Sequence, residues 1–385
     1  MIATKLRIVG NSKKSIIGII ICLLFMMVLP FFAQALGGMT WVRIIDQALL
    51  YVMLALGLNI VVGFAGLLDL GYIAFYAVGA YAAALLTTSH LTDSFAHIAA
   101  MFPAGIHLPF LLVMVVGAVL AAIAGIMLGA PILKLKGDYL ALVTLGFGEI
   151  IRIFMNNLGK DVFNITNGPR GINGIEPVSI FGFSFDQTIH IGSLTLTREF
   201  LYFYLFLALA MFSMFICYRL QNSRLGRAWM AFREDDVAAR AMGINLRNIK
   251  LLAFSLGATF GGVAGSLFAA FQGFISPESF SFMESIAILT MVVLGGIGHI
   301  PGVILGAFVI TALPEILRYT IEPLQKAIFG QIFIDSAVLR PLILGLCMVM
   351  VMLFRPKGLW PKPERNDKRD DEISDDAKVI PTEVL

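Results

Sequence analysis

The sequence predicts an all-α polytopic membrane protein with about ten transmembrane helices, some of them broken or re-entrant. Hydrophobic residues make up 58% of the chain and charged residues 14%, whereas soluble domains carry about 25% charged residues. Several apolar runs approach the roughly 20 residues that a helix needs to cross a bilayer. Lys and Arg are concentrated in a few segments between these runs, which is typical of cytoplasmic loops.

The chain begins with a polar, basic segment, residues 1–15, which we assign to the cytoplasm. An apolar run over residues 16–36 predicts the first span, and the predicted transmembrane domain covers residues 16–354. The sequence from Ala33 to Ala35 imitates a signal-peptidase site, so a cleaved signal peptide is the alternative. The length of the run favours an uncleaved span.

The next two apolar runs are separated by a glycine-rich segment, residues 63–71, that also contains Asp69. Three glycines and a carboxylate in such apolar surroundings predict a broken or re-entrant helix rather than a solvated loop. Asn59 and Asp69 flank this break. They are candidates either to line a polar translocation path or to satisfy the backbone groups that a broken helix frees, and both interpretations stay open.

The segments that connect the later apolar runs alternate between the outer and the cytoplasmic side of the membrane. Residues 158–198 form a turn-rich external loop, whereas residues 134–136 and 219–250 are basic and predicted to be cytoplasmic. If all basic clusters lie in the cytoplasm, an even number of spans must separate each pair of clusters. Ten spans with both termini inside satisfy this condition. A charged, disordered cytoplasmic tail is predicted for residues 355–385. The runs after the first are 44–62, 72–86, 110–133, 139–156, 200–218, 251–271, 285–298, 302–317 and 339–354.

Within the basic segment 219–250, a short stretch is patterned as an amphipathic helix. Asp235 can cap this helix, Asp236 suits its first turn, and Gly243 can end it in the left-handed conformation. Asn245 can then cap the following helix, and Arg240 points away from the apolar face. The small apolar face consists of Val237, Ala238, Ala241 and Met242. Such a helix at the membrane surface suits docking onto a soluble partner.

This stretch resembles the cytoplasmic coupling loop of ABC importer permeases, whose motif is Glu-Ala-Ala, three residues, then Gly. Ala238, Ala239 and Gly243 match the motif, and Val237 stands where the Glu would be. The wider sequence resembles the LivM-type permeases of branched-chain amino acid ABC importers. The segments that carry this resemblance are GDYLALVTLGFGEIIRI (137–153), LGRAWMAFREDDVAARAMGI (225–244) and GFISPESFSF (273–282).

The resemblance implies ten helices in two inverted halves of five in a bacterial inner membrane. It also implies the partners: a second homologous permease, two ATP-binding cassette subunits and a soluble substrate-binding protein. The substrates implied are leucine, isoleucine and valine. Urea or short amides, which related permeases carry, and an ion-coupled secondary transporter are the alternatives. The residues expected to couple the chain to the ATPase are Arg233, Glu234, Asp235, Asp236, Val237, Ala238, Ala239, Arg240, Met242 and Gly243.

Two further patterns lie within predicted spans. Glu149 and Arg152 are three residues apart on one helix face and can form an ion pair, which either locks the helix to a neighbour or lines the path. Gly298, Gly302 and Gly306 recur every four residues, which favours close helix packing over a flexing element.

An enzymatic function has almost no support in the sequence. No Gly-x-x-x-x-Gly-Lys-[Ser/Thr] loop occurs, so ATP hydrolysis is expected on partner subunits. The five histidines have no metal-ligand spacing, and the three cysteines are dispersed in apolar runs. We therefore expect no catalytic residue, no cofactor and no metal. Of the remaining ionisable residues, Arg43 and Asp46 are expected at the membrane interface, and Glu284 is expected at an outer helix start.

Overall fold

The computed structural model describes residues 26–360 with short gaps. The gaps are 36, 103–104, 133–134, 136, 160–163, 181, 192–193, 330, 332–335 and 356–357. The predictions for the N-terminal segment 1–15, for the first part of the first span and for most of the tail therefore lie outside the described residues.

The described part of the chain is mainly helical, which confirms the all-α polytopic architecture. Six of its helices are long and apolar enough to cross a membrane, and three shorter ones are also apolar. Every apolar run of the sequence contains at least part of a helix. The helices are α1 (Met26–Ala35), α2 (Met39–Leu58), α3 (Ile73–Thr87), α4 (His90–Ser94), α5 (Ala96–Met101), α6 (Phe110–Ile132), α7 (Asp138–Asn157), α8 (Arg198–Gln221), α9 (Arg224–Glu234), α10 (Asp236–Ala241), α11 (Leu246–Gln272), α12 (Phe282–Gly295), α13 (Ile300–Phe329) and α14 (Ser336–Phe354).

Two long helices, α2 and α11, form the centre of the molecule. Helix α2 packs against α8, α11, α12 and α13, and α11 packs against α2, α3 and α6. Helix α2 is buried along almost its whole length. By contrast, α6 leaves a stripe of large apolar side chains exposed, including Val115, Ile123 and Met127. An exposed apolar stripe on a peripheral helix is expected where lipid replaces water as the solvent.

Small residues let the helices around α11 approach backbone to backbone. A side chain at Gly79 of α3 would collide with the carbonyl of Gly262 in α11, and one at Gly262 would meet the carbonyl of Gly117 in α6. Ser266 donates a hydrogen bond of 3.1 Å to the carbonyl of Gly79. Packing and interhelical hydrogen bonds of this kind drive association within a bilayer, where apolar burial gains nothing.

The three glycines of the predicted repeat have two different roles. A side chain at Gly302 would collide with the carbonyl of Gly295, and one at Gly306 with the carbonyl of Met291, so both glycines bring α12 and α13 into close contact. Gly298 instead lies in the turn between these helices with φ of +83°. That left-handed conformation favours glycine for the turn itself.

The segment between α7 and α8 contains short strands that an all-helical prediction misses. The strands are β1 (Ile172–Asn173), β2 (Ser179–Ile180), β3 (Phe183–Ser184), β4 (Ile189–Ile191) and β5 (Leu194–Leu196). Strand β2 pairs with β3 and β4 with β5, all antiparallel. Strand β1 pairs with β6 (Phe274–Ile275), which follows α11, in the register Ile172 to Ile275. This pairing joins the loop to the segment that leads into α12.

Candidate functional site

The predicted break after α2 is present. Helix α2 continues into a π-helical turn, Asn59–Phe64, and the chain then runs without regular structure until α3 begins at Ile73. Gly66 in this irregular part has φ of +67°. Single π-helical turns within α-helices are rare and occur frequently at functional sites. Most residues from Asn59 to Tyr72 are buried. Gly66 and Leu68 are exposed, and Leu70 is partly buried.

The two polar residues of the break bind backbone groups. The side-chain oxygen of Asn59 accepts a hydrogen bond of 2.9 Å from the N–H of Gly298, in the turn between α12 and α13. Asp69 accepts one of 2.9 Å from the N–H of Gly71. In this conformation both residues satisfy freed backbone groups. Each also keeps one buried polar atom, Nδ2 of Asn59 and Oδ2 of Asp69, without a hydrogen-bond partner in the described part of the chain.

Three hydroxyl groups connect the irregular part to other helices, and sequence reasoning missed all of them. The N–H of Leu70 donates 3.0 Å to Oγ1 of Thr144 in α7. Oγ of Ser285 in α12 donates 2.6 Å to the carbonyl of Leu70. Tyr72 donates 3.0 Å to the carbonyl of Gly257 in α11. Hydroxyl side chains inside apolar runs were the available signal, since a bilayer supplies no water for freed backbone groups.

The segment 224–243, which is predicted to be cytoplasmic and is here called the coupling segment, contains the two short helices α9 and α10. Ser223 caps α9 by accepting from the N–H of Gly226 at 3.1 Å. Asp235 caps α10 by accepting from the N–H groups of Val237 at 2.7 Å and Ala238 at 3.1 Å. Gly243 ends this part with φ of +82°. Asn245 then caps α11 through the N–H of Asn248 at 3.3 Å, so these predicted caps are all present.

The exposed side of α10 is apolar, as the sequence predicts. Val237 is 70% exposed and Met242 82% exposed, and Ala238, Arg240 and Ala241 are exposed as well. Ala239 differs from the other predicted coupling residues because it is only 3% exposed. Its methyl group faces the protein itself and is not available to a partner in this conformation.

Arg233 is exposed overall, but its guanidinium group contacts the backbone of the break. Its Nη1 donates a hydrogen bond of 2.6 Å to the carbonyl of Gly63 in the π-helical turn. A cavity of about 330 Å³ lies beside this contact. The cavity is lined by the break (Ala65, Gly66, Leu67, Leu68), by the connection between α6 and α7 (Leu135, Gly137) with Leu140 of α7, by Phe232, Arg233, Glu234, Asp235 and Asp236, and by Lys250. The coupling segment and the break after α2 therefore line the same cavity.

The predicted pair of Glu149 and Arg152 is formed and extends to a third residue. Nε and Nη2 of Arg152 lie 3.0 Å from Oε2 of Glu149. Nη1 of Arg152 lies 3.3 Å from Oε1 of Glu278, in the 3₁₀ turn Pro277–Phe280 that precedes α12. The ion pair thus ties α7 to the start of α12, and sequence reasoning missed Glu278 as the third member.

Two of the other ionisable residues have surroundings that the sequence did not predict. Asp46, expected at the membrane interface, is fully buried in the protein, and neither carboxylate oxygen is hydrogen-bonded in the described part of the chain. Glu284 lies in the first turn of α12, as expected of a helix-start carboxylate, but it accepts 2.8 Å from the hydroxyl of Tyr51 in the middle of α2. Among the described residues, no group of three or more His, Cys, Asp or Glu could hold a metal ion.

Comparison with known proteins gives consistent matches. The family described as "Branched-chain amino acid transport system / permease component" matches residues 40–352. The high-affinity branched-chain amino acid transport system permease protein LivM of Escherichia coli is 41% identical over 332 residues, which cover 83% of this chain and 70% of LivM. LivH of the same organism is 29% identical, over 82% of this chain and 92% of LivH. A probable LivM of Methanocaldococcus jannaschii is 25% identical, over 81% and 91%. No solved structure matches the chain.

Proposed function

The chain belongs to the branched-chain amino acid transport permease family, and from this premise we propose that it is a permease subunit of an ATP-driven importer of branched-chain amino acids. The observation that carries the proposal is its 41% identity to LivM over 83% of its length. The role is transport and not catalysis, because the relatives are permease proteins. Its multi-pass helical structure suits a membrane-spanning subunit.

ATP binding and hydrolysis take place on partner subunits and drive the chain between outward-open and inward-open conformations. Within the coupling segment, α10 and the following Met242 are the proposed docking element for those subunits. Support comes from its exposed apolar side chains, Val237 and Met242, since an exposed helix face of this kind can fill a groove on a soluble partner. The acidic residues Asp235 and Asp236 stand at the start of α10, where negative charge stabilises the helix.

The proposed assembly has a second, homologous permease, two ATP-binding cassette subunits and a soluble binding protein. The similarity of this chain to both LivM and LivH supports a pair of homologous permeases. Substrate selectivity can reside in the binding protein, which agrees with the few polar side chains inside the membrane domain. The chain would lie in a bacterial inner membrane with both termini in the cytoplasm.

Two features support an arrangement in two inverted halves of five helices each. In the sequence of apolar helices, α3 is the third of the first half and α12 the third of the second half. Both are short, with 15 and 14 residues, and both follow an irregular segment after a long helix. Short or interrupted helices in corresponding positions of two halves are typical of transporters built from inverted repeats.

The test is uptake by the complete importer in proteoliposomes that contain ATP. We expect leucine uptake that requires ATP and the binding protein, is inhibited by isoleucine and valine, and persists when ionophores dissipate ion gradients. Uptake that follows an ion gradient without ATP would support the secondary-transporter alternative. Inhibition by urea or acetamide, with no inhibition by isoleucine or valine, would reassign the substrate within the family.

A further inference from the structure

One side chain connects the coupling segment to the transmembrane helices at their break. Arg233 lies near the end of α9, and its Nη1 donates 2.6 Å to the carbonyl of Gly63. Gly63 lies at the end of a helix, where carbonyl groups lack partners within the helix and cationic side chains can bind them. The contact is therefore a charge-assisted hydrogen bond between two elements that are 170 positions apart in the sequence.

The surroundings of Arg233 are shaped to admit its side chain. Gly66 has φ of +67°, and a methyl group there would lie 2.7 Å from Cγ of Arg233. Gly298 has φ of +83°, and a methyl group there would lie 3.3 Å from Nη1 of Arg233 and 3.2 Å from the carbonyl oxygen of Gly63. Both glycines have left-handed conformations: Gly66 borders the aliphatic stem of Arg233, and Gly298 borders its guanidinium group and the carbonyl that it binds.

The same contact reaches the turn between α12 and α13. The N–H of Gly298 in that turn is bound by Asn59 of the π-helical turn at 2.9 Å. A side chain at Gly63 would collide with Asn59 and would also lie only 2.8 Å from the N–H nitrogen of Gly298. The end of α9, the π-helical turn and the α12–α13 turn therefore meet at one point, which we call the junction.

Helix α9 is attached to the start of α11 through Trp229, so α9 and Arg233 move together as one unit. Trp229, one turn before Arg233, is fully buried, and its Nε1 donates 2.9 Å to the carbonyl of Ile249 at the start of α11. The exposed side of the coupling segment includes Val237 and Met242. A force applied to that exposed side would reach the junction through α9 and the guanidinium group of Arg233.

We propose that Arg233 is a positioning residue that transmits movement of the coupling segment to the junction, and thereby opens and closes the cytoplasmic end of the transport path. This proposal rests on the proposed function. Arg233 is exposed overall but is bound to Gly63 through its guanidinium group. The proposal assigns to it a mechanical role within this chain, whereas its position in the sequence suggests a contact with an ATPase subunit.

The test compares substitutions of two arginines of α9 in the complete importer, reconstituted in proteoliposomes with its binding protein. For Arg233→Ala we expect leucine uptake to fall about tenfold, the scale of one lost charge-assisted hydrogen bond, while ATP hydrolysis changes less than about twofold on the same scale. The ATP consumed per leucine transported should therefore rise. Arg233→Lys should recover part of the uptake. The control Arg227→Ala, which removes a hydrogen bond to the nearby carbonyl of Asn222, should change neither rate.

A second substitution displaces Arg233 without removing its charge. Gly66→Ala should reproduce the high ATP consumption per leucine, because the new methyl group would collide with Arg233. Its control is Gly137→Ala, since Gly137 has a similar φ of +58° but no described atom within 4 Å of the added methyl group. If Arg233→Ala does not assemble, this pair of variants decides the matter.

Normal uptake by both Arg233→Ala and Gly66→Ala would overturn the proposal. A proportional loss of uptake and ATP hydrolysis would also overturn it, because that result assigns Arg233 to assembly with the ATPase. If the unmodified importer shows no ATP-driven leucine uptake, the proposed function fails first, and the two failures are thus distinguishable.

Discussion

At the scale of single residues, the ion pair of α7 is best understood as a three-member cluster. Arg152 bridges Glu149 on its own helix and Glu278 on the turn before α12. Removing Arg152 leaves two neighbouring carboxylates without a cation, whereas removing Glu149 leaves Arg152 with one partner. The two changes should therefore have unequal effects, although a simple pair would predict similar ones.

We predict that Arg152→Gln lowers the stability of the purified permease pair more than Glu149→Gln does. The side chains are about one-third exposed, so we expect a loss of about 1–2 kcal/mol for Arg152→Gln and less than about 1 kcal/mol for Glu149→Gln. Thermal unfolding in detergent measures both. The exchanged pair Glu149→Arg, Arg152→Glu should recover little, because the new Glu would face Glu278.

The control for this prediction is the pair of Glu315 and Arg318 in α13, which has the same spacing of three residues but a longer distance of 3.8 Å. Arg318 is 62% exposed, so Arg318→Gln should change the unfolding temperature little. Equal losses for Arg152→Gln and Glu149→Gln, or full recovery by the exchanged pair, would contradict the three-member cluster.

At this scale the sequence could predict that some polar residues inside the spans are important, but not which groups they bind. Asn59 and Asp69 were recognisable because polar side chains are rare in apolar runs. The partner of Asn59, Gly298, is 239 positions away, and only the packing of α2 against α12 and α13 brings the two together. Glu278, Thr144 and Ser285 were missed for the same reason, since their roles depend on contacts between distant segments.

At the scale of single elements, the coupling segment combines a predictable part with an unpredictable one. Its caps follow from local sequence, because Asp235 and Asn245 bind backbone N–H groups within three residues. The direction in which each side chain faces depends on how α9 and α10 lie on the membrane domain. That orientation exposes Val237, buries Ala239 and brings the guanidinium group of Arg233 to the carbonyl of Gly63. Six residues of helix carry too little periodicity to predict it.

We predict that Val237→Lys and Met242→Glu weaken the binding of the ATPase subunits while the chain stays inserted and paired with its sister permease. Burying each of these side chains is worth about 1.5–3 kcal/mol, so each change should lower the affinity by about tenfold to a hundredfold. Co-purification of the ATPase subunits through a tag on this chain measures the effect. Ala239→Arg would act through internal packing and is therefore not a test of docking.

A cysteine at position 240 provides a direct measure of the same docking surface. Arg240 is exposed beside Val237 and Ala241, so Arg240→Cys should cross-link to an ATPase subunit with a yield that changes on ATP binding. Arg170→Cys, at an exposed position in the loop predicted to be external, is the control and should give no such product. Full co-purification with both substitutions, together with no cross-link from position 240, would show that α10 is not the docking element.

At the scale of the whole molecule, the number of membrane spans still rests mainly on the sequence. Six described helical segments are long enough to cross a membrane, α12 only together with the 3₁₀ turn that precedes it. Helices α1 and α3 and the part of α14 from Pro341 to Phe354 are apolar but shorter. Helix α7 is the remaining candidate, with 20 residues and the Glu149–Arg152 pair in its interior. Short helices that begin inside the membrane cannot be counted by length, so the distribution of basic residues has to decide their direction.

We predict that residues 134–136 and 219–250 lie inside the cell and residues 158–198 outside. Both basic segments must face the same side, because an even number of spans, α7 and α8, separates them. In a variant without Cys22, Cys217 and Cys347, a cysteine at Arg227 should react with a membrane-impermeant reagent only after the cells are opened. A cysteine at Arg170 should react in intact cells. Labelling of the Arg227→Cys variant in intact cells would contradict ten spans with cytoplasmic termini. It would also place the coupling segment on the side of the membrane that has no ATP, so the docking of ATPase subunits would fail together with the topology.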